Sequence, residues 1–170
     1  MKGRRPSLAV GKPSLMTKLC PPVDIGRLRP VARVRVLYAD TDKMGIAYHA
    51  SYLRYMELGR VELIRGAGLP YTTMEAQGLA LPLTDIAVRY TSPALYDDRM
   101  TINIGLSLVT PVRVHFDYRI VVVAGDREGS EQDVEILTAQ TRHACVRRET
   151  GRPERMPAPV YELLRNAYTE

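Results

Sequence analysis

Cysteine is scarce in this sequence. Cys20 and Cys145 are the only two in 170 residues, too few for a disulfide framework, and they point to a reducing, cytoplasmic setting. Long apolar runs are missing too. No stretch approaches the ~20 residues that a membrane span needs, and residues 1–30 hold no apolar run of the kind a secretory signal carries. Metal-ligand spacing is absent: His49, His115 and His143 stand far apart, and there is no HExxH or CxxC. No phosphate-binding P-loop, no GxGxxG and no GxSxG nucleophile elbow occurs. The 12 glycines and 12 prolines show no collagen-like period, and there are no internal repeats. No metal and no cofactor is therefore expected.

What remains is a mix of 45% hydrophobic and 25% charged residues, suited to one soluble domain of ordinary size. The net charge of +5 is unevenly spread. Residues 1–30 hold seven basic residues against Asp24 alone, a charge of +6, which leaves −1 for the rest. A domain-wide basic face is excluded, and with it a nucleic-acid partner. Five prolines and no hydrophobic period mark residues 1–30 as a disordered extension ahead of a single domain at 31–170. An organellar transit peptide and a translation start at Met16 are alternative readings of the same stretch. Its charge would favour weak, salt-dependent contact with an anionic membrane surface.

From Val31 the text changes. Val31–Tyr38 alternates and is rich in β-branched residues, which predicts a strand. Ala39–His49 reads as a loop. Ser51–Gly66 follows, with Tyr52, Met56, Gly59 and Leu63 on one helical face and Leu53, Leu58, Val61 and Ile64 widening the apolar surface, so a buried helix is predicted. Gly66 and Gly68 end it. After a helical turn at Thr72–Gly78, four strands are predicted: Leu81–Tyr90, Met100–Leu108, Val112–Ala124 and Val134–Arg147, the last two an antiparallel pair. A closing helix is predicted at Pro159–Ala167. Strands in series without alternating helices imply an antiparallel α+β fold, one helix against a five-stranded sheet. An exposed sheet edge would favour a homodimer, or a homotetramer built from it.

The chemistry is concentrated in Tyr38-Ala-Asp40-Thr-Asp42-Lys-Met-Gly45-Ile-Ala-Tyr48-His49-Ala-Ser-Tyr52. Carboxylates, a glycine turn, an imidazole and a helix N-terminus meet there. The Asp40-x-Asp42-x-x-Gly45 opening of a calcium loop lacks its later oxygen ligands, since Met44 and Ser51 stand at those places. Taken singly, Asp40 and Asp42 read as turn caps and His49 as a hydrogen-bonder at a helix start.

Taken together, Tyr38-x-Asp-Thr-Asp42-x-x-Gly45-x-x-Tyr-His49-Ala-x-Tyr52 resembles the hotdog-fold acyl-CoA thioesterases of the hydroxybenzoyl-CoA and Tol-Pal-associated branch. Met-Glu57-x-x-Arg60-x-Glu62-x-x-Arg65 and Val88-Arg-Tyr-x-x-Pro93-Ala-x-x-Asp97-Asp98 extend the likeness, which spans about residues 31–150. The resemblance implies five antiparallel strands wrapped around one long central helix, and hydrolysis of an acyl-CoA thioester, with acyl carrier protein as another thiol carrier. It implies Asp42, His49 and Tyr38 as catalytic residues and Gly45, Tyr48 and Tyr52 at the substrate. A carboxylate there can activate water or attack the carbonyl itself, and backbone N–H groups at the helix N-terminus can hold the oxyanion. Glu57, in a charged stripe, is expected to be structural, and Cys145 a small buried residue. A hydroxyacyl-thioester dehydratase and a non-catalytic acyl-thioester-binding module are the competing functions. The dehydratase is disfavoured because Ala-Ser-Tyr follows His49.

Overall fold

The structure is a computed structural model and describes residues 22–69, 74 and 76–169. The expectation for the N-terminal extension, up to residue 21, and most of that for Thr72–Gly78 lie outside the described residues. The strand expected at Val31–Tyr38 starts two residues earlier and ends at Arg35. A 3-10 turn at Ile25–Arg27 leads into β1 at Arg29–Arg35. Asp24 caps that turn by accepting the Gly26 N–H at 3.2 Å.

The remaining elements are α1 (Ser51–Gly66), β2 (Leu79–Ala80), β3 (Leu83–Tyr90), β4 (Arg99–Thr110), β5 (Arg113–Val122), β6 (Val134–Ala144), β7 (Val146–Arg147) and α2 (Ala158–Thr169). One antiparallel sheet has the order β1-β4-β5-β6-β3; β2 and β7 pair separately. The strand predicted from Leu81 to Tyr90 starts two residues later, at Leu83, and the one predicted from Val134 to Arg147 is two pieces, β6 and β7, in different sheets. Pro82 carries no N–H for a ladder, and the chain changes sheet there.

α1 lies against the sheet. Its buried face is Tyr52, Tyr55, Met56, Gly59, Leu63 and Ile64, facing a core that includes Ile102, Ile104, Phe116, Tyr118 and Ile120. The approach is closest at Gly59, where a Cβ would sit 2.7 Å from Ile102 Cγ2. The helix is closed by Gly68, at φ 84, with the Leu69 N–H reaching back to the Ile64 carbonyl at 3.2 Å. Three residues depart from the predicted pattern. Leu53 and Leu58 remain exposed, and Arg60 is buried, ion-paired to Glu57. α2 packs its Val160 and Leu164 into the same core, beside β4. No helix among the described residues is long and apolar enough to cross a membrane.

Candidate active site

The 41–49 loop is built as a small hairpin. Thr41 and Ala47 pair across it, the Asp42 N–H donates to the Ile46 carbonyl at 2.9 Å, and the Gly45 N–H returns to the Asp42 carbonyl at 2.9 Å. Gly45 has φ 76, a left-handed conformation that glycine adopts without a Cβ penalty. Asp42 braces this turn by accepting the Met44 N–H on Oδ1 at 2.8 Å.

Asp40 anchors the hairpin from beneath. It is only 2% exposed. Its carboxylate accepts the Tyr55 hydroxyl at 2.7 Å and the Leu37 N–H at 3.1 Å, and it is ion-paired to Arg54. Burial pushes its pKa up, but the Tyr55 and Leu37 hydrogen bonds and the Arg54 charge outweigh that and hold it below the usual carboxylate value. Burial and the neighbouring Asp40 push the Tyr55 hydroxyl well above its ordinary value. Asp40 is a structural cap, as its turn position implied.

Asp42 and His49 line one cavity of about 410 Å³, together with Tyr52, Tyr90, Ser92 and Pro93. The helix N-terminus beside it carries no side-chain cap, because Ala50 occupies that position. The Ser51 and Leu53 N–H groups turn back to the Tyr48 and Ala50 carbonyls. The His49 N–H has no acceptor among the described residues. The His49 carbonyl is fixed by the Tyr90 hydroxyl at 3.0 Å, and the Tyr52 hydroxyl accepts the Ala94 N–H at 3.3 Å. Burial raises the pKa of both Tyr52 and Tyr90, so they remain neutral hydroxyls.

The other expected residues fall differently. Tyr48 is exposed, its ring 4.2 Å from that of His49 by centroids, outside the cavity lining. Tyr38 is not the end of a strand: it opens a 3-10 turn at Tyr38–Asp40, is 81% exposed, and meets Tyr96 edge-on at 6.1 Å. It does not line the cavity with Asp42 and His49. Glu57 is likewise absent from this lining. Cys145 is buried and free. Among the described residues no cluster could hold a metal ion.

Sequence reasoning missed the opposite wall. The 91–98 turn closes the cavity, and the 41–49 hairpin is bonded to it, Ala47 N–H to Ala94 carbonyl at 2.8 Å with Ile46 bridging Leu95. The Tyr-x-x-Pro-Ala-x-x-Asp-Asp run was visible in the sequence, but nothing local says that it faces the hairpin.

A family model for the thioesterase-like superfamily matches residues 36–164. The chain belongs to this superfamily. It is 33% identical over 120 residues to YneP of Bacillus subtilis, covering 71% of this chain and 81% of that protein. The acyl-CoA thioester hydrolase YbgC of Escherichia coli O157:H7 is 34% identical over 88 residues, 52% of this chain and 66% of that protein. The solved structure of TT1821 from Thermus thermophilus superposes with a TM-score of 0.71 at 31% identity, covering 82% of this chain and 99% of that one. The thioesterase is thus a hotdog-fold thioester hydrolase, as the loop motif implied.

Proposed function

We propose that the enzyme hydrolyses acyl-CoA thioesters in the cavity between the 41–49 hairpin and the 91–98 turn. Asp42 acts as general base or nucleophile and the His49 N–H as oxyanion donor. One observation carries this reading: Asp42 and His49 line the same cavity at a helix N-terminus that no side chain caps. CoA as the thiol carrier is supported by the likeness to YbgC.

The geometry suits the chemistry. In the general-base form, Asp42 takes a proton from water as its oxygen bonds to the thioester carbon. The carbonyl electrons move to oxygen, and that charge meets the His49 N–H and the positive end of α1. Collapse of the intermediate breaks the C–S bond, and the thiolate leaves and takes up the proton. Asp42 has one oxygen engaged in bracing the turn, which fixes the orientation of the other. Tyr38, outside the lining, is left out of this account.

The enzyme is further proposed to be a homodimer joined through β3 and to work in the cytoplasm, which accords with CoA and with the free Cys145. The direct test of the activity is release of free thiol from short-chain, long-chain and aromatic acyl-CoAs. Turnover of at least one, abolished by Asp42→Asn, is expected. No thiol release from any class would overturn the proposal.

A further inference from the structure

We infer that Arg127 is a positioning residue for thioester hydrolysis, acting through the 91–98 turn on the hairpin that carries Asp42. The inference rests on the reading of Asp42 and His49 as the reacting centre.

Arg127 belongs to the polar turn between β5 and β6 and does not line the cavity. Its guanidinium nonetheless reaches the cavity wall. Nε donates to Asp98 Oδ1 at 3.0 Å, and Nη2 donates both to Asp98 Oδ2 and to the Pro93 carbonyl at 3.0 Å. This is the fork geometry that arginine offers and lysine does not. Asp98 is 4% exposed, and its Oδ2 also accepts the Leu95 N–H at 2.6 Å. One buried carboxylate and one guanidinium thus tie together Pro93, Leu95 and Asp98.

That turn needs an external fastening. Asp97 within it has φ 71, a left-handed conformation that a residue with a Cβ adopts only at a cost. The catalytic hairpin hangs from the same turn through the Ala47 N–H to Ala94 carbonyl bond and the Ile46–Leu95 bridge. The first turn of α1 hangs from it through Tyr52 and the Ala94 N–H. Pro93 is itself cavity lining, so the guanidinium is one hydrogen bond from the wall and a short bonded path from Asp42. Its charge is neutralised by Asp98, so it is not a free cation for the substrate. A misplacement of about 1 Å in such a site can cost about a hundredfold in rate.

The test compares the full-length wild type with Arg127→Ala and Arg127→Lys. The substrate is whichever of acetyl-, hexanoyl-, palmitoyl- and benzoyl-CoA the wild type turns over fastest. Arg127→Ala is expected to lower kcat by about tenfold or more with KM within about threefold. Guanidinium chloride at millimolar, non-denaturing concentration should restore part of the loss. Hydrogen exchange at the Ala47 amide should quicken by about tenfold while the Ile104 and Tyr118 amides of the β4–β5 pair keep their rates, a local loosening. Arg127→Lys should fall between the two and is the variant to read if the alanine protein does not fold. The inference is overturned if either kcat or Ala47 exchange stays within about twofold of wild type. It is also overturned if all amides quicken together, which would be a loss of global stability. Asp42→Asn on the same substrate separates the two readings. If it retains turnover the site assignment fails, whereas if it is inactive and Arg127→Ala is not, only the clamp fails.

Discussion

Asp40 and Asp42 stand two residues apart and have different surroundings. Asp40 is buried beneath the hairpin, held by Tyr55, Leu37 and Arg54, and Asp42 lines a cavity. Another buried polar residue, His143, makes stability depend on pH, separately from catalysis. Its Nδ1 lies 2.9 Å from the Leu81 carbonyl, which can only accept, so Nδ1 carries the proton. Nε2, 3.1 Å from Thr141 Oγ1, is then an acceptor, and Thr141 accepts in turn from the Tyr118 hydroxyl. Burial lowers the His143 pKa below 6.5 although the Leu81 carbonyl opposes it. The unfolded chain therefore binds a proton that the folded one refuses, and stability falls as pH drops through about 6.5 towards the lowered folded value. Urea midpoints at pH 7.5 and 5.5 check this. The margin of wild type over His143→Gln should narrow at pH 5.5, and parallel midpoints would contradict it. Asp42 and His49 come to line one cavity because only the short 41–49 hairpin separates them. The strand reads as running on to Tyr38, since alternation continues past Arg35, the last residue of β1. Arg127 could not be read at all: its contacts lie 29 and 34 residues away along the chain, and no local pattern encodes them.

At the scale of elements, α1 was legible to the residue because its apolar spacing and its closing glycine agree. What spacing could not say is how near the helix lies to the sheet. Gly59 answers that. Alanine there would gain about 1 kcal/mol of helix propensity but would press a Cβ onto Ile102, a β-branched residue with little freedom to yield. Overpacking of this kind costs about 1–3 kcal/mol. Gly59→Ala is therefore expected to lower the thermal midpoint despite the better helix former. A raised midpoint would show that the helix can lift from β4. The break at Cys145 is the counterpart among strands. Val134–Arg147 reads as one strand, but β6 pairs with β5 and β3 whereas β7 pairs with β2.

The whole molecule presents two sheet edges of unlike character. β1 carries Arg29, Pro30, Arg33 and Arg35, a charged and proline-bearing edge of the kind that discourages pairing. β3 leaves Leu83 49%, Ile86 40% and Tyr90 49% exposed, with Leu53 of α1 also exposed nearby. Pairing of β3 with its copy would bury these and close the open edge. Sedimentation at micromolar concentration is expected to show at least a dimer, and Ile86→Lys to shift it towards monomer. A single 19 kDa species for the wild type would contradict the edge assignment. The sequence foretold an exposed edge but not which one, because strand order depends on pairing between distant segments.

The account turns on Asp42 and the His49 backbone sharing the chemistry. The measurement that tests it most directly is kcat for Asp42→Asn and His49→Ala, under matched folding controls, on an acyl-CoA that the wild type hydrolyses. Asp42→Asn is expected to lose about 10²–10⁴-fold, the span of a lost general base. His49→Ala should lose less, because its N–H survives the change. An Asp42→Asn protein within a few-fold of wild type would contradict the assignment of the site. A folded His49→Ala protein as inactive as Asp42→Asn would move the chemistry from the backbone to the imidazole.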